Sequence, residues 1–212
     1  IHFSTWEFDK KIAIKLLKDS YPIMLSAAMA VIYMRTDQVM IKQMLGDFEN
    51  GNYAMALRLS ESWYFVPVVI SASVFPAIIN AKKKAKYLYF KRLQQLFDML
   101  VVLGVVVAIA TNLVADELML FIDKDFSGGA SVLKIHIWGG ILVALGVASG
   151  KWLLVENLTK ITLWRTVFGA ILNIVLNWFL IPEYGIQGAA WATIFATLGV
   201  AYLFDLLHPK TR

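Results

Sequence analysis

Arg35 and Asp37 stand inside MAVIYMRTDQVMIKQML (29–45), the outer half of an apolar run that begins near Tyr21. A charge at the centre of a membrane-crossing helix costs roughly 2.5–3.5 kcal/mol on insertion scales, so an ionisable pair there points to function. The alternative is a pair close to its helix end, snorkelling to the interface. A spacing of two turns the side chains about 200° apart. One is therefore expected to make a substrate or coupling contact and the other to be a structural partner, with Arg35 the anion contact. A second pattern is Arg165, Gly169, Asn173 and Asn177, which recur every four residues on one slowly drifting helix face. The two Asn read either as interhelical glue, worth roughly 0.6–2 kcal/mol each, or as part of a polar stripe lining a water-filled cavity; an Arg in the stripe favours the cavity. Arg58 and Glu61, three apart, can pair on one face. That pair is structural or touches substrate. Lys134 and His136 are weaker candidates, with a packing role the default for His136.

Other chemistry is thinly supported. The sequence has no Cys, which excludes disulfides and thiolate metal sites, and its three His are far apart. It contains no HExxH pair, no phosphate-cradling glycine loop and no nucleophile elbow. Neither a catalytic site, a metal site nor a cofactor is expected.

The elements that position these residues are membrane helices. Hydrophobic residues make up 59% of the 212 and charged residues 17%, against roughly 45–50% and 25% in soluble domains. Mean hydropathy is +0.65. Six stretches, near 21–44, 60–81, 94–115, 130–150, 161–181 and 186–206, are long enough to cross a bilayer core, which needs roughly 20 helical residues. Pro67 and Pro76 are expected to bend the second. Gly146 and Gly150 in the fourth, and Gly188, Ala192 and Ala196 in the sixth, have the small-residue spacing that lets helix backbones approach.

Lys and Arg alternate between the breaks. Fifteen of the twenty fall before the first span, between spans two and three, between four and five (with Arg165 just inside), and after the last. Four (Lys42, Arg58, Lys124 and Lys134) fall on the other side, which collects acids. The +5 net charge therefore reads as membrane topology, with both ends cytoplasmic, and not as nucleic-acid binding. Residues 1–19 interleave Lys with Trp6, Phe8, Ile12 and Leu16, as an amphipathic helix on the cytoplasmic face does. Residues 20–207 form the six-helix bundle and 208–212 a cytoplasmic tail. With Ile1 in place of an initiator Met, the chain is expected to be the middle of something longer.

NGNYAMALRLSESWYFVPVVISASVFPAII (50–79), following DQVMIKQMLG (37–46), resembles bacterial O-antigen and polysaccharide-unit flippases, the Wzx-type members of the MOP exporter superfamily. NWFLIPEYGIQGAAWAT (177–193) resembles that superfamily's loop between its last two core helices. The resemblance implies an all-α, MATE-like fold of which this chain is the C-terminal six-helix lobe, helices seven to twelve. It implies transport of an undecaprenyl-pyrophosphate-linked oligosaccharide, an O-antigen or capsule repeat unit, to the periplasmic leaflet of the bacterial inner membrane. The expected route is alternating access through a cationic cavity. The implied partners are that lipid-linked substrate, membrane lipids, the missing N-terminal lobe and the polysaccharide polymerase and chain-length machinery. Arg35, Asp37, Arg58 and Glu61 occupy the positions implicated on the seventh and eighth helices, and Arg165, Asn173 and Asn177 would join them. Arg suits a pyrophosphate, Asn suits sugar hydroxyls, and Asp37 is the candidate coupling carboxylate for H+ or Na+. Two rivals are a drug/cation antiporter of the same superfamily, whose cavity should be acidic and apolar where the intramembrane set here leans basic, and a multispan glycosyltransferase or acyltransferase acting on lipid-linked sugars. A non-transporting structural subunit would leave the buried charges without purpose.

Overall fold

The structure, a computed structural model, describes residues 9–200 except Asp123 and Asn157. The first eight residues of the expected connector, the end of the sixth span and the tail lie outside them. Among the described residues six α-helices follow in order: α1 (Lys10–Leu45), α2 (Asp47–Glu61), α3 (Phe65–Lys84), α4 (Lys86–Ile122), α5 (Gly129–Val155) and α6 (Thr159–Leu198). A short 3-10 turn, Lys124–Phe126, lies between α4 and α5. By length and apolarity four helical stretches qualify to cross a membrane: Asp47–Lys84, Lys86–Ile122, Gly129–Val155 and Thr159–Leu198, with mean hydropathies of 1.8, 2.3, 1.7 and 1.5. The more polar α1 is not among them.

Three boundaries differ from the sequence reading. The amphipathic connector and the first span are one helix: Asp9 caps α1, accepting from the Lys11 and Ile12 amides at 2.7 and 3.3 Å, and α1 runs on through Pro22. The helical stretch that contains the second span begins at Asp47, ahead of the apolar run that starts near Ser60. Its first part, α2, looks too polar to be embedded. It nevertheless buries Tyr53, Ala56 and Leu57, and tertiary packing overrides its weak local signal. Of the two prolines expected to bend that span, Pro67 lies in the first turn of α3, where its missing N–H leaves no bond unmade. The break falls ahead of it, at Ser62–Tyr64, and only Pro76 sits in a helix interior.

The expected fifth and sixth spans share α6, which leaves helical geometry at Gly185 (φ 58°, ψ −142°). This is a full reversal. Asn173 Nδ2 lies 3.4 Å from Thr193 Oγ1, 20 residues on, whereas a continuous helix would hold them about 30 Å apart. The limbs meet so closely behind the turn that a Cβ on Gly188 would run into the Leu180 carbonyl. Close approach elsewhere uses Gly104 and Gly140, which seat the Trp63 ring; a Cβ on Gly140 would come within 2.6 Å of it. Gly146 and Gly150, expected to pack backbones together, have nothing within 4 Å of a Cβ. Spacing fixes a shared face but not which face meets a neighbour.

Two buried clusters fill the bundle, one around Ile41, Tyr53, Met119, Leu133 and Ile181, the other around Trp63, Ile78, Leu96, Leu100 and Ile137. The loops sort by charge. At one end Lys82 Nζ donates to Glu156 Oε1 at 2.8 Å and to the Val155 carbonyl at 3.2 Å, and Tyr89 donates to the same carboxylate at 2.9 Å. The Lys82 bond, with help from Tyr89, holds the Glu156 carboxyl below its usual range. The basic breaks at 82–92 and 151–160 therefore meet there. At the other end Glu49, Asp125, Tyr184 and Gly185 line a common groove.

Candidate functional site

Asp37 is 3% exposed and is the point where α1 is tied to two other helices. Tyr53 of α2 donates to its Oδ2 at 2.8 Å. Thr193, on the second limb of α6, donates to the same oxygen at 2.6 Å, and Asn177, on the first limb, donates to Oδ1 at 2.8 Å. Asn177 also donates to Asn173 Oδ1 at 3.0 Å, and Asn173 reaches Thr193. Both Asn side chains are fully buried. The reversal at Gly185 makes this possible, because it sets residues 177 and 193 side by side. Three hydroxyl and amide donors around one carboxylate replace much of the hydration that a buried anion loses.

Beside this network lies a cavity of about 180 Å³ between α1, α2, α5 and α6. Asp37, Glu61, Tyr33, Tyr64, His136 and Thr197 are among the residues around it. Tyr33 and Thr197 share a hydrogen bond of 3.0 Å across it. His136 is buried with its Nδ1 2.8 Å from the Ser60 hydroxyl. The described lining contains two carboxylates and neither Lys nor Arg. The cavity inside this lobe is therefore not lined by cations, and apolar Ala30, Met34, Leu57 and Val143 complete its described wall.

The sequence candidates separate into groups. Asp37, Asn173 and Asn177 are brought together. Arg35 is exposed on the opposite side of α1, as their spacing requires, and near enough to Glu61 for mutual attraction. Arg58 is exposed and Glu61 half-buried, and the expected pair between them is not formed. Arg165 is buried and donates to the Ser149 hydroxyl of α5 at 3.3 Å, about two turns or more along α6 from the Asn pair. The four-residue stripe thus serves two different contacts. Lys134 is paired with Asp116 at 2.5 Å, which leaves His136 alone at the cavity. Sequence reasoning missed Tyr53, Thr193 and Tyr33. Thr193 and Thr197 are four apart in WATIFATL, a helix-face signal without a charge to raise it above background.

No family profile matches the chain. Among curated proteins it is 23% identical over 96% of its length to one from Shigella dysenteriae named as an O-antigen transporter. It is 30% identical over 70% of its length to one from Haloferax volcanii named as the flippase AglR. An uncharacterised membrane protein of Methanocaldococcus jannaschii is 23% identical over 92%. The chain spans 50%, 32% and 46% of those proteins, about half their length or less. Among solved structures, a MATE transporter in its straight conformation matches over 92% of this chain and 44% of its own, with a TM-score of 0.78 at 18% identity. A MOP-superfamily transporter from Pyrococcus furiosus, described as having a binding pocket of reverse polarity, matches over 91% and 44%, with a TM-score of 0.73 at 17% identity.

The fold is thus that of one half of a MOP-superfamily transporter, in a multi-pass membrane chain. Two of its sequence relatives carry the names of an O-antigen transporter and a flippase, in keeping with the resemblance carried by residues 37–79 and 177–193, and none of the three is named as an enzyme.

Proposed function

We propose that this chain is the C-terminal half of a flippase that moves a lipid-linked oligosaccharide between leaflets by alternating access. The observation that carries the reading is the pair of sequence relatives named O-antigen transporter and flippase, aligned over 96% and 70% of the chain. The substrate is an O-antigen or capsule repeat unit on undecaprenyl pyrophosphate, and the membrane is the bacterial inner membrane. The basic end of the bundle faces the cytoplasm. The chain crosses six times, α1 and the two limbs of α6 each making a pass, and both ends are cytoplasmic. The other half of the polypeptide closes a central cavity against this lobe. Polymerase and chain-length machinery receive the product.

Within that frame the two kinds of charge divide the work. Exposed Arg35 and Arg58 offer guanidinium groups to the pyrophosphate, where bidentate hydrogen bonds replace lost water. The acid-lined cavity beside Asp37 takes the coupling proton or sodium ion. Arg165 holds α6 against α5 at the cytoplasmic side, and Asn173 and Asn177 support Asp37 in place of touching sugar. One observation favours a second reading: a cavity lined by Asp37 and Glu61 also suits a MATE-type antiporter that exports small cations.

Complementation of a flippase-null strain decides between them. The full-length protein should restore surface polysaccharide, and Arg35→Ala and Asp37→Asn should lose it at normal membrane levels. Failure of the wild-type protein, together with resistance to cationic drugs, would favour the antiporter. Normal polysaccharide from Arg35→Ala, Asp37→Asn and Arg165→Ala alike would sink the assignment of these residues.

A further inference from the structure

The basic end of the bundle holds an open pocket of about 580 Å³ that the transport reading does not use. It lies between the end of α3, the start of α4 and the end of α5, with Lys82, Lys86, Tyr89, Phe90, Trp152 and Glu156 around it. Lys82 is matched inside the fold by its bonds to Glu156 and the Val155 carbonyl, and its ammonium also stands 5.7 Å over the Tyr89 ring. Lys86 is different. Its ammonium stands 6.0 Å over the Phe90 ring, it is exposed, and it forms no ion pair among the described residues. Within the pocket two lysines therefore face one carboxylate, and outside it Lys83, Lys84, Lys91 and Arg92 are exposed and without ion pairs among the described residues, so this end of the bundle carries uncompensated positive charge.

The surroundings are as informative as the charge. Tyr87 is 76% exposed and Phe90 50% exposed at the level where α3 and α4 leave their apolar runs. Exposed rings beside lysines mark the membrane–water interface, and basic pockets between helices on that side suit acidic lipid headgroups.

We propose that this pocket binds the headgroup of an anionic phospholipid. The phosphate diester sits on Lys86 and the shared edge of Lys82, and the acyl chains run along the Phe90 and Trp152 faces. A free phosphate would use the ammonium groups but gain nothing from the exposed rings, which is why the lipid is the better occupant. Glu156 competes with the headgroup for Lys82. That makes it a restraint on binding as well as a tie between α3 and α5.

Native mass spectrometry of the full-length protein in detergent tests this, with dioleoyl phosphatidylglycerol and dioleoyl phosphatidylethanolamine added in equal amounts. Phosphatidylglycerol should be retained preferentially. Lys86→Gln should weaken it about fivefold, the weight of one lysine near an anionic surface. Glu156→Gln, which keeps an acceptor for Tyr89 while releasing Lys82, should strengthen it. Lys151→Gln should change nothing, because that ammonium stands 5.3 Å over the Phe75 ring, away from this pocket. The proposal is overturned if Lys86→Gln binds as the wild type does, if Lys151→Gln weakens binding equally, or if Glu156→Gln lowers it. Displacement of the lipid by equimolar inorganic pyrophosphate would also overturn it, by showing that a bare anion suffices.

Discussion

At Asp37 the cost of burying a carboxylate is offset by donors from three helical segments, so the residue has a structural duty that any coupling role must coexist with. Asp37→Ala would orphan the Tyr53, Thr193 and Asn177 donors, at roughly 1–3 kcal/mol for each one left buried. The expected outcome is a marked fall in thermal stability in detergent and in membrane level. Asp37→Asn keeps one acceptor oxygen for Tyr53 and Thr193 and leaves Asn177 its bond to Asn173, so it should retain near-normal levels. Wild-type stability in Asp37→Ala would refute the network. The sequence made part of this legible. Charge inside an apolar run singled out Arg35 and Asp37, and their offset of about 200° correctly required that they face different ways. It could not say that Asp37 and the Asn173–Asn177 pair belong to one cluster, because Asp37 and Asn177 are 140 residues apart in the chain. Nor did it separate Arg165 from the Asn pair: a period of four places residues on one face, but successive turns of that face meet different neighbours.

At the scale of elements, apolar length located the spans well where packing is apolar and poorly where it is polar. α4 was plain. α2 was missed, because DFENGNYAMALRLSE gains its place from burying Tyr53, Ala56 and Leu57 and not from a hydrophobic run. The α6 hairpin was anticipated as two spans, and the sharpness of its turn rests on two glycines. Gly185 has a positive φ, and its φ/ψ pair is one that only glycine adopts readily. Gly188 is where the limbs touch. Gly188→Ala should therefore force the limbs apart and lower the yield of stable protein, whereas Gly146→Ala, with open space around its Cβ, should leave it unchanged. Size-exclusion profiles in detergent would show the contrast, and equal behaviour of the two variants would count against the hairpin.

For the whole molecule, charge alternation along the sequence became charge segregation in space, with the basic breaks joined by Lys82 and Glu156 at one end and acidic loops at the other. These 212 residues contain no Cys, so once any Cys elsewhere in the full-length protein is replaced the orientation is simple to test. The thiol of Lys83→Cys should be shielded from a membrane-impermeant maleimide added outside intact cells, and that of Glu49→Cys or Asp125→Cys should react. Labelling of both sets from outside would reject the topology.

The ties of Asp37 also set a timetable. Asn177 and Thr193 follow it by 140 and 156 residues, and synthesis proceeds at roughly 5–20 residues per second, so the carboxylate waits on the order of 10 s for them. During that interval α1, which is not among the four most apolar stretches, has only Tyr53 of this set available. Its final seating thus belongs to the end of biogenesis. A ribosome stalled before the α6 hairpin emerges should leave the first helix of this lobe extractable, and release of the hairpin should lock it in place.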